Sequence, residues 1–551
     1  MNTWAGRALP AMRSEAHFGD RVVRCFVQRP GSLDQMFRDT VARHGERDAI
    51  VHEVSTWSYR DLAALVDRVA AGLLSEGVGR GDRVALLIGN RPEFIVALLA
   101  VQRLRAIAVP LSVREQSPGI AYVLGQCGAR MLIHDAELAG RLPQPAELPP
   151  TMLCVSVSPD GESRWQQWQR APRTPLCPQA VPESRETREF PEFQRSEASG
   201  EEETAVILYT SGTTGRPKGA MLSHLNIIHS ALHYEFCMDL TEYDRSAMAV
   251  PASHVTGLIA MIMAMLRVGG AVVIVSSFKA RAFLALAAAQ RITHTILVPA
   301  MYQLCLLEAD LDRHDLGAWR IGAYGGAPMP RSAIEMLARK LPRLTLMNAY
   351  GATETTSPAT IMPAGLQAGH LASVGLPVPA ADIVVMDDDG REVAPGTSGE
   401  LWIGGPMVVS GYWDNRQATS ESFTGGCWRS GDIGSIDEAG FVQIFDRKKD
   451  MLNRGGYKIY SVEVENVLVA CEGVLEAAVV GRPCPVLGER VHAVVCVDEG
   501  RVGDPAGCEA LLRSHCAARL ADYKVPETWV IQAEPLPRNA NGKLMKRSLR
   551  P

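Results

Sequence analysis

Val206-Ile207-Leu208-Tyr209-Thr210-Ser211-Gly212-Thr213-Thr214-Gly215-Arg216-Pro217-Lys218-Gly219 is the stretch that decides the fold. Its first four residues are a short apolar run rich in β-branched and aromatic side chains, which reads as a buried strand. The ten residues from Thr210 hold three glycines, four hydroxyls and one lysine. Glycine lets backbone N–H groups approach an anion, hydroxyls donate to it, and an ammonium balances its charge. The stretch is therefore a strand running into a phosphate cradle. It is not a Walker loop, which needs Gly where Pro217 stands and Ser or Thr where Gly219 stands. A flexible linker of this composition would not sit between a buried strand and the amphipathic segment at residues 222–232.

Strand and helix signals alternate upstream of this point. Ser58-Tyr59-Arg60-Asp61 has the form of a capping box. Leu62, Leu65, Val66, Val69, Leu73 and Leu74 follow at helical spacing, and Gly77 marks a stop. Residues 84–88 form a buried-strand run, Pro92 opens an apolar helix to about Leu104, and residues 106–109 and 131–134 are further strands. Such alternation predicts a parallel, doubly wound sheet. From about residue 142 to 203 the pattern gives way to Pro, Glu, Arg and Ser with isolated Trp165 and Trp168, an irregular surface connection. Alternation resumes at Ala205. The Gly-rich, strand-rich residues 381–445 predict a small β subdomain. Strands at 474–480 and 491–497 and a helix at 506–520 predict a separate α+β domain.

Composition narrows the function. The 551 residues are 47% hydrophobic and 21% charged, which excludes wholesale disorder. A net charge of −5 offers no basic field for nucleic acid. The longest apolar run, residues 257–266, is broken by Arg267 and is too short to span a bilayer. The N-terminus lacks a continuous apolar core of a secretory signal. Twelve cysteines contain no C-x-x-C pair, so they read as reduced thiols of a cytoplasmic protein. Only nine of the 56 basic residues are lysines, and none precedes Lys218. Each retained lysine is therefore a position to inspect, since a compact point charge is something Arg does not supply.

The string at residues 210–219 resembles the signature of the adenylate-forming enzymes: acyl- and aryl-CoA synthetases, luciferases and peptide-synthetase adenylation domains. The resemblance runs from about Leu33 to Arg547, and the other motifs follow in the family's order. Asn348-Ala349-Tyr350-Gly351-Ala352-Thr353-Glu354 resembles the adenine and magnesium motif. It implies Tyr350 against the purine, Thr353 on the α-phosphate and Glu354 as the Mg²⁺ ligand. Gly325-Gly326-Ala327 resembles the wall behind the adenine. Trp428-Arg429-Ser430-Gly431-Asp432-Ile433-Gly434 resembles the ribose motif, with Asp432 on the vicinal hydroxyls, and Arg447 matches a second nucleotide contact. Residues 399–401 through Gly411-Tyr412-Trp413 resemble a motif read here as packing only.

The resemblance also implies two roles for the C-terminal part. Asp446-Arg447-Lys448-Lys449-Asp450 resembles the hinge, with Lys449 at the pivot between residues 1–447 and a mobile domain of residues 448–551. Asn453-Arg454-Gly455-Gly456-Tyr457-Lys458 resembles the loop that lines the pantetheine tunnel, giving Gly455, Gly456 and Tyr457 to coenzyme A. Pro537-Arg538-Asn539-Ala540-Asn541-Gly542-Lys543 places Lys543 as the adenylation lysine. His254 matches a histidine beside the substrate carboxylate. If its segment is helical, His254, Leu258, Met261 and Met265 share one face.

The expectation is an α/β fold: a large multi-subdomain N-terminal domain with doubly wound sheets and a β subdomain, plus a small mobile α+β C-terminal domain. The expected function is ATP- and Mg²⁺-dependent activation of a fatty or aromatic acid to acyl-AMP, then transfer to CoA, in a protein that forms an oligomer or a monomer. Thr210, Ser211, Gly212, Thr213, Thr214, Gly215 and Lys218 hold the phosphates. Rival readings are an adenylation enzyme loading a separate carrier protein, a luciferase-like oxygenase, and a non-catalytic nucleotide-binding scaffold.

Overall fold

The computed structural model describes residues 3–158, 163–172, 200–210, 216–498, 505–538 and 544–550. The chain divides into two compact units, Met1–Ile383 with Ile403–Arg429, and Val384–Trp402 with Ser430–Pro551.

Among the described residues, the N-terminal unit holds two large sheets besides two short hairpins. In the first, Leu153–Val157, Met131–Asp135, Arg83–Leu87, Ile107–Pro110 and Thr204–Thr210 run parallel, and Lys218–Ser223 closes the edge antiparallel. In the second, Asp48–His52, Ala271–Ile274, Arg245–Met248, His294–Leu297, Ile321–Tyr324 and Thr345–Tyr350 are parallel neighbours in that order. This is the doubly wound α/β arrangement expected from the alternation. The helix Tyr59–Ser75 carries the anticipated capping box, with Ser58 and Asp61 bonding reciprocally. Leu62, Val66, Val69 and Leu73 are fully buried. Each such side chain contributes about 1.5–3 kcal/mol, against about 1 kcal/mol for the cap, so the buried face holds the helix.

One local reading changes and two local features are new. After the Gly and hydroxyl loop the chain returns as the strand Lys218–Ser223, and the helix His224–Met238 follows, buried on nearly every face. Asn226 is tolerated inside because its amide donates to Pro406 O at 2.7 Å and Val408 O at 3.1 Å. The segment expected to be a surface connection contributes to the core: Leu153–Val157 joins the sheet, and the helix Arg164–Arg170 buries Trp165 and Trp168. A Cβ on Gly72 would lie 2.2 Å from the Trp168 ring, so a glycine in the long helix makes room for it. Finally, residues 3–26 form two hairpins that no motif or periodicity announced.

The C-terminal unit is a small α+β body. Tyr457–Ile459, Leu452–Arg454, Gly488–Val497 and Val474–Cys484 form a sheet, with Thr528–Gln532 on the other side of Gly488–Val497. Helices Ser461–Val469 and Pro505–Ala517 pack on it; Val464, Leu468, Leu512 and Cys516 join Val479, Val491 and Val495 in its core. Within this unit Asp432 pairs with Arg447 across a hairpin, and Lys449 follows directly. Residues 384–402 and 430–447 thus belong to the same compact unit as the residues after the expected hinge. Among the described residues, no helix is long and apolar enough to cross a membrane.

Candidate active site

The parallel strands of the N-terminal unit deliver their carboxyl ends to one edge of each sheet, the usual place for a ligand in such folds. Thr210 ends one strand and Lys218 begins its antiparallel partner, opposite each other in register. They flank the loop that the sequence assigns to phosphates. Ser211, Gly212, Thr213, Thr214 and Gly215 lie outside the described residues.

Glu354 meets the first of these, Thr210. Its Oε1 accepts the Thr210 hydroxyl at 3.4 Å and the Tyr412 hydroxyl at 2.9 Å, and the residue is 8% exposed. Lys218 Nζ lies 5.1 Å from the centre of the Tyr412 ring, a cation–π distance. Tyr412 is therefore more than packing, which corrects the sequence reading. Backbone pairing sets it there: Ala220 bridges to Tyr412, Met221 N–H donates to Gly411 O at 3.1 Å, and Trp413 N–H donates to Gly219 O at 2.7 Å. Burial, with the Glu354 carboxylate next, pushes the Tyr412 phenol well above its ordinary value, so it stays a donor. Both side-chain hydrogen bonds described for Glu354 fall on Oε1. One buried hard oxygen donor beside a phosphate loop suits Mg²⁺, which takes one or two carboxylates plus substrate phosphates and keeps its waters.

The turn that carries Glu354 is strained. Thr356 has φ +51° and Ser357 φ +33°. A β-branched residue in the left-handed region is an outlier costing about 1–3 kcal/mol. Local bonds offset it: Thr355 Oγ1 accepts Ala352 N–H at 2.9 Å, and Ser357 Oγ lies 3.0 Å from the Tyr234 hydroxyl. Thr353 is half-buried in the same turn.

The two motifs expected around the adenine lie side by side. Ile321–Tyr324 runs beside Thr345–Tyr350, with Tyr324 opposite Asn348. A Cβ on Gly325 would sit 2.4 Å from Ala349 O, so only glycine lets the Gly325-Gly326-Ala327 turn lie against Asn348-Ala349-Tyr350. Gly326 and Ala327 are exposed, and Tyr350 and Gly351 are half-buried, so the turn and the ring face accessible space.

His254 sits in a turn after the strand Arg245–Met248, on the same sheet edge. His254 Nδ1 lies 3.4 Å from Thr256 N and 3.3 Å from Thr256 Oγ1, so this side of the ring is held against Thr256. Asn90 fixes the approach to it. Its amide donates to Val250 O at 2.9 Å and Val275 O at 3.2 Å, and its Oδ1 accepts Ala252 N–H at 2.8 Å. Asn90 belongs to the loop after Arg83–Leu87, so it ties the two sheets together at their carboxyl edges. The next segment, Thr256–Met263, is a π-helix followed by Ala264–Val268 as α-helix. The α-helical face expected for His254, Leu258, Met261 and Met265 is thus not formed: His254 precedes the helix, and residues 257–266 are buried on every side.

The C-terminal unit carries the other motifs. Asp432 is 3% exposed, and Arg447 Nε lies 2.8 Å from its Oδ1. Lys448 Nζ lies 3.2 Å from both Glu400 and Asp388, and these carboxylates hold its ammonium pKa above the usual value against the opposing effect of burial. Gly455 and Gly456 form the tip of a two-residue hairpin with φ +59° and +91°, where Arg454 faces Tyr457. Tyr457 stacks on Tyr523 at 4.6 Å. Lys543 lies outside the described residues.

Comparison with known proteins gives the same picture. A family model described as AMP-binding enzyme matches residues 37–413, and one described as AMP-binding enzyme C-terminal domain matches residues 463–543. A feruloyl-CoA synthase of Amycolatopsis sp is 33% identical over 503 residues, 91% of this chain and 95% of that protein. The long-chain-fatty-acid–CoA ligase FadD13 of Mycobacterium tuberculosis is 30% identical over 494 residues, 90% of this chain and 92% of that protein. The solved o-succinylbenzoate CoA synthetase (MenE) of Bacillus subtilis, in complex with the acyl-adenylate intermediate OSB-AMP, matches with a TM-score of 0.81 at 27% identity, covering 94% of this chain and 98% of that one.

Proposed function

We propose, for a chain that belongs to the AMP-binding enzyme family, a division of labour by which it activates a carboxylic acid with ATP and passes the acyl group to coenzyme A. The enzyme is an AMP-forming acid:CoA ligase, with ATP and CoA as substrates. The observation that carries the residue assignment is the meeting of Glu354 with Thr210 and Tyr412, with Lys218 over the Tyr412 ring.

In the first half-reaction the substrate carboxylate attacks the α-phosphorus, giving acyl-AMP and pyrophosphate. Such transfers are catalysed by positioning and by stabilising charge on phosphate oxygens. Thr210 and Lys218 donate to the phosphates with the loop between them. Thr353 donates to the α-phosphate. Glu354 is the magnesium ligand, and the ion when bound supplies positive charge at the phosphates. Tyr412 holds the Glu354 carboxylate so that it need not reorient. His254 donates to the substrate carboxylate. Tyr350 and the Gly325 turn take the adenine, Asp432 the ribose hydroxyls with Arg447 beside it, and Lys543 the carboxylate and α-phosphate oxygens. In the second half-reaction Lys543 is exchanged for the Gly455–Gly456 turn by movement at Lys449, and the CoA thiol displaces AMP. Unpaired cysteines among the described residues suit a reducing compartment, and we place the enzyme in the cytoplasm.

The acyl tail is uncharged in this reading. No charged residue occurs from residue 250 to 266, and a second carboxylate buried there would be costly without a partner. The test is pyrophosphate exchange across a panel of acids, followed by CoA and detection of thioester. Hexanoate-like or benzoate-like acids are expected to turn over and malonate and succinate to be inert; the reverse preference overturns the tail assignment. Exchange that proceeds without any thioester on adding CoA overturns the choice of acceptor.

A further inference from the structure

Inside the C-terminal unit the end of the chain is tied to the segment around Lys449 by a run of polar contacts. Leu536 N–H donates to Glu476 Oε2 at 3.1 Å, and Arg538 donates to Glu476 Oε1 at 2.7 Å. Arg538 bridges to Leu544, and Met545 N–H donates to Pro537 O at 2.8 Å, which closes the base of the segment that contains Lys543. Immediately beyond, Lys546 Nζ donates to Ser461 Oγ at 2.7 Å and lies 2.6 Å from Glu465 Oε1. Ser461 N–H donates to Asp446 Oδ2, and Arg550 donates to Lys449 O at 2.7 Å.

The Lys546–Glu465 pair is mostly withdrawn from water, at 14% and 15% side-chain exposure. Burial pushes the Glu465 carboxyl up to about 6 despite the ammonium beside it. A desolvated pair of this kind is weak as a stabiliser compared with apolar packing, but removing one partner strands the other charge. What it provides is a fixed geometry. Lys546 is also one of only nine lysines among 56 basic residues.

We propose that Lys546 is a positioning residue for adenylation: by bridging Ser461 and Glu465 it fixes the base of the Lys543 segment relative to Asp446 and Lys449. Lys546 touches no substrate. Its effect is to aim the ammonium three residues earlier, and it rests on the assignment of Lys543 to adenylation. A displacement of about 1 Å at a reacting group costs about 10²-fold in rate.

The experiment compares the full chain with Lys546→Met, Lys546→Arg, Glu465→Gln and Lys543→Ala. Two readouts are taken: kcat and KM for ATP in pyrophosphate exchange, and thioester formation from presynthesised acyl adenylate and CoA. Lys546→Met is expected to lower exchange kcat by about 30–100-fold, with KM and the thioester rate within about threefold of the parent. Lys546→Arg keeps the charge and recovers at least about tenfold of that loss. Should Lys546→Met fail to fold, Glu465→Gln decides, with an expected exchange loss of about tenfold. Equal losses in both half-reactions, a change in KM alone, parental exchange in either Lys546→Met or Glu465→Gln, or an Arg variant no better than Met would each overturn the inference. If Lys543→Ala keeps adenylation, the underlying assignment falls. If Lys543→Ala is inactive and Lys546→Met is not impaired, only the role of Lys546 falls.

Discussion

Replacing Lys543 by alanine lowers pyrophosphate exchange by about 10²–10³, the usual cost of removing one preorganised group that stabilises transition-state charge. The ammonium is needed where negative charge moves from the carboxylate to the bridging and α-phosphate oxygens. That charge shift exists only in the first half-reaction. In the second, the thiol attacks a mixed anhydride already formed, and the leaving group is AMP. Thioester formation from supplied acyl adenylate therefore stays within about threefold of the parent. The check is a paired assay on the same preparation. Equal damage to both steps would mean that Lys543 serves the nucleotide throughout, or that its loss disturbs the small unit as a whole.

Gly456→Trp should give the opposite split, with thioester formation from acyl adenylate lowered by at least about 10²-fold and pyrophosphate exchange within about threefold. Gly456 has φ +91°, and a Cβ built there meets nothing within 4 Å. Its N–H donates to Asn453 Oδ1 at 3.1 Å, which holds the turn. An indole on this residue would project into open space at the hairpin tip, where the pantetheine thiol is proposed to pass. Backbone strain is the competing cause, because L side chains rarely adopt this φ. Gly456→Ala carries the same strain without the bulk and separates the two. If alanine is as damaging as tryptophan, the turn's conformation rather than an open path is what the second step needs.

The parts of the site that could be read from sequence are those whose chemistry is local. The strand into the Gly and hydroxyl loop at residues 206–219 is one continuous signal. The Asn348–Glu354 stretch likewise ends a strand in a glycine turn, and the structure sets it against Gly325. What could not be read depends on contacts between distant residues. The Tyr412 hydroxyl reaches Glu354 only because residues 411–413 pair with residues 219–221, and nothing in Gly411-Tyr412-Trp413 announces that pairing. Asn90 looks like an ordinary turn residue until a second sheet brings Val250 and Ala252 to it. The π-helix at Thr256–Met263 is hidden because an unbroken apolar run has no polar face to reveal its period. Trp165 and Trp168 seemed isolated because the surface they cover belongs to a helix about a hundred residues earlier, with Gly72 leaving the space.

When the acid's carboxylate attacks the α-phosphorus of ATP, a heavy-oxygen label in the acid passes into the nucleotide. An acid labelled in both carboxylate oxygens is incubated with the enzyme, ATP, Mg²⁺ and CoA, and the nucleotide and phosphate products are analysed by mass spectrometry. One labelled oxygen is expected in AMP for each thioester formed, with none in pyrophosphate. Label in inorganic phosphate with ADP as the nucleotide product, or thioester formed with unlabelled AMP, would contradict it.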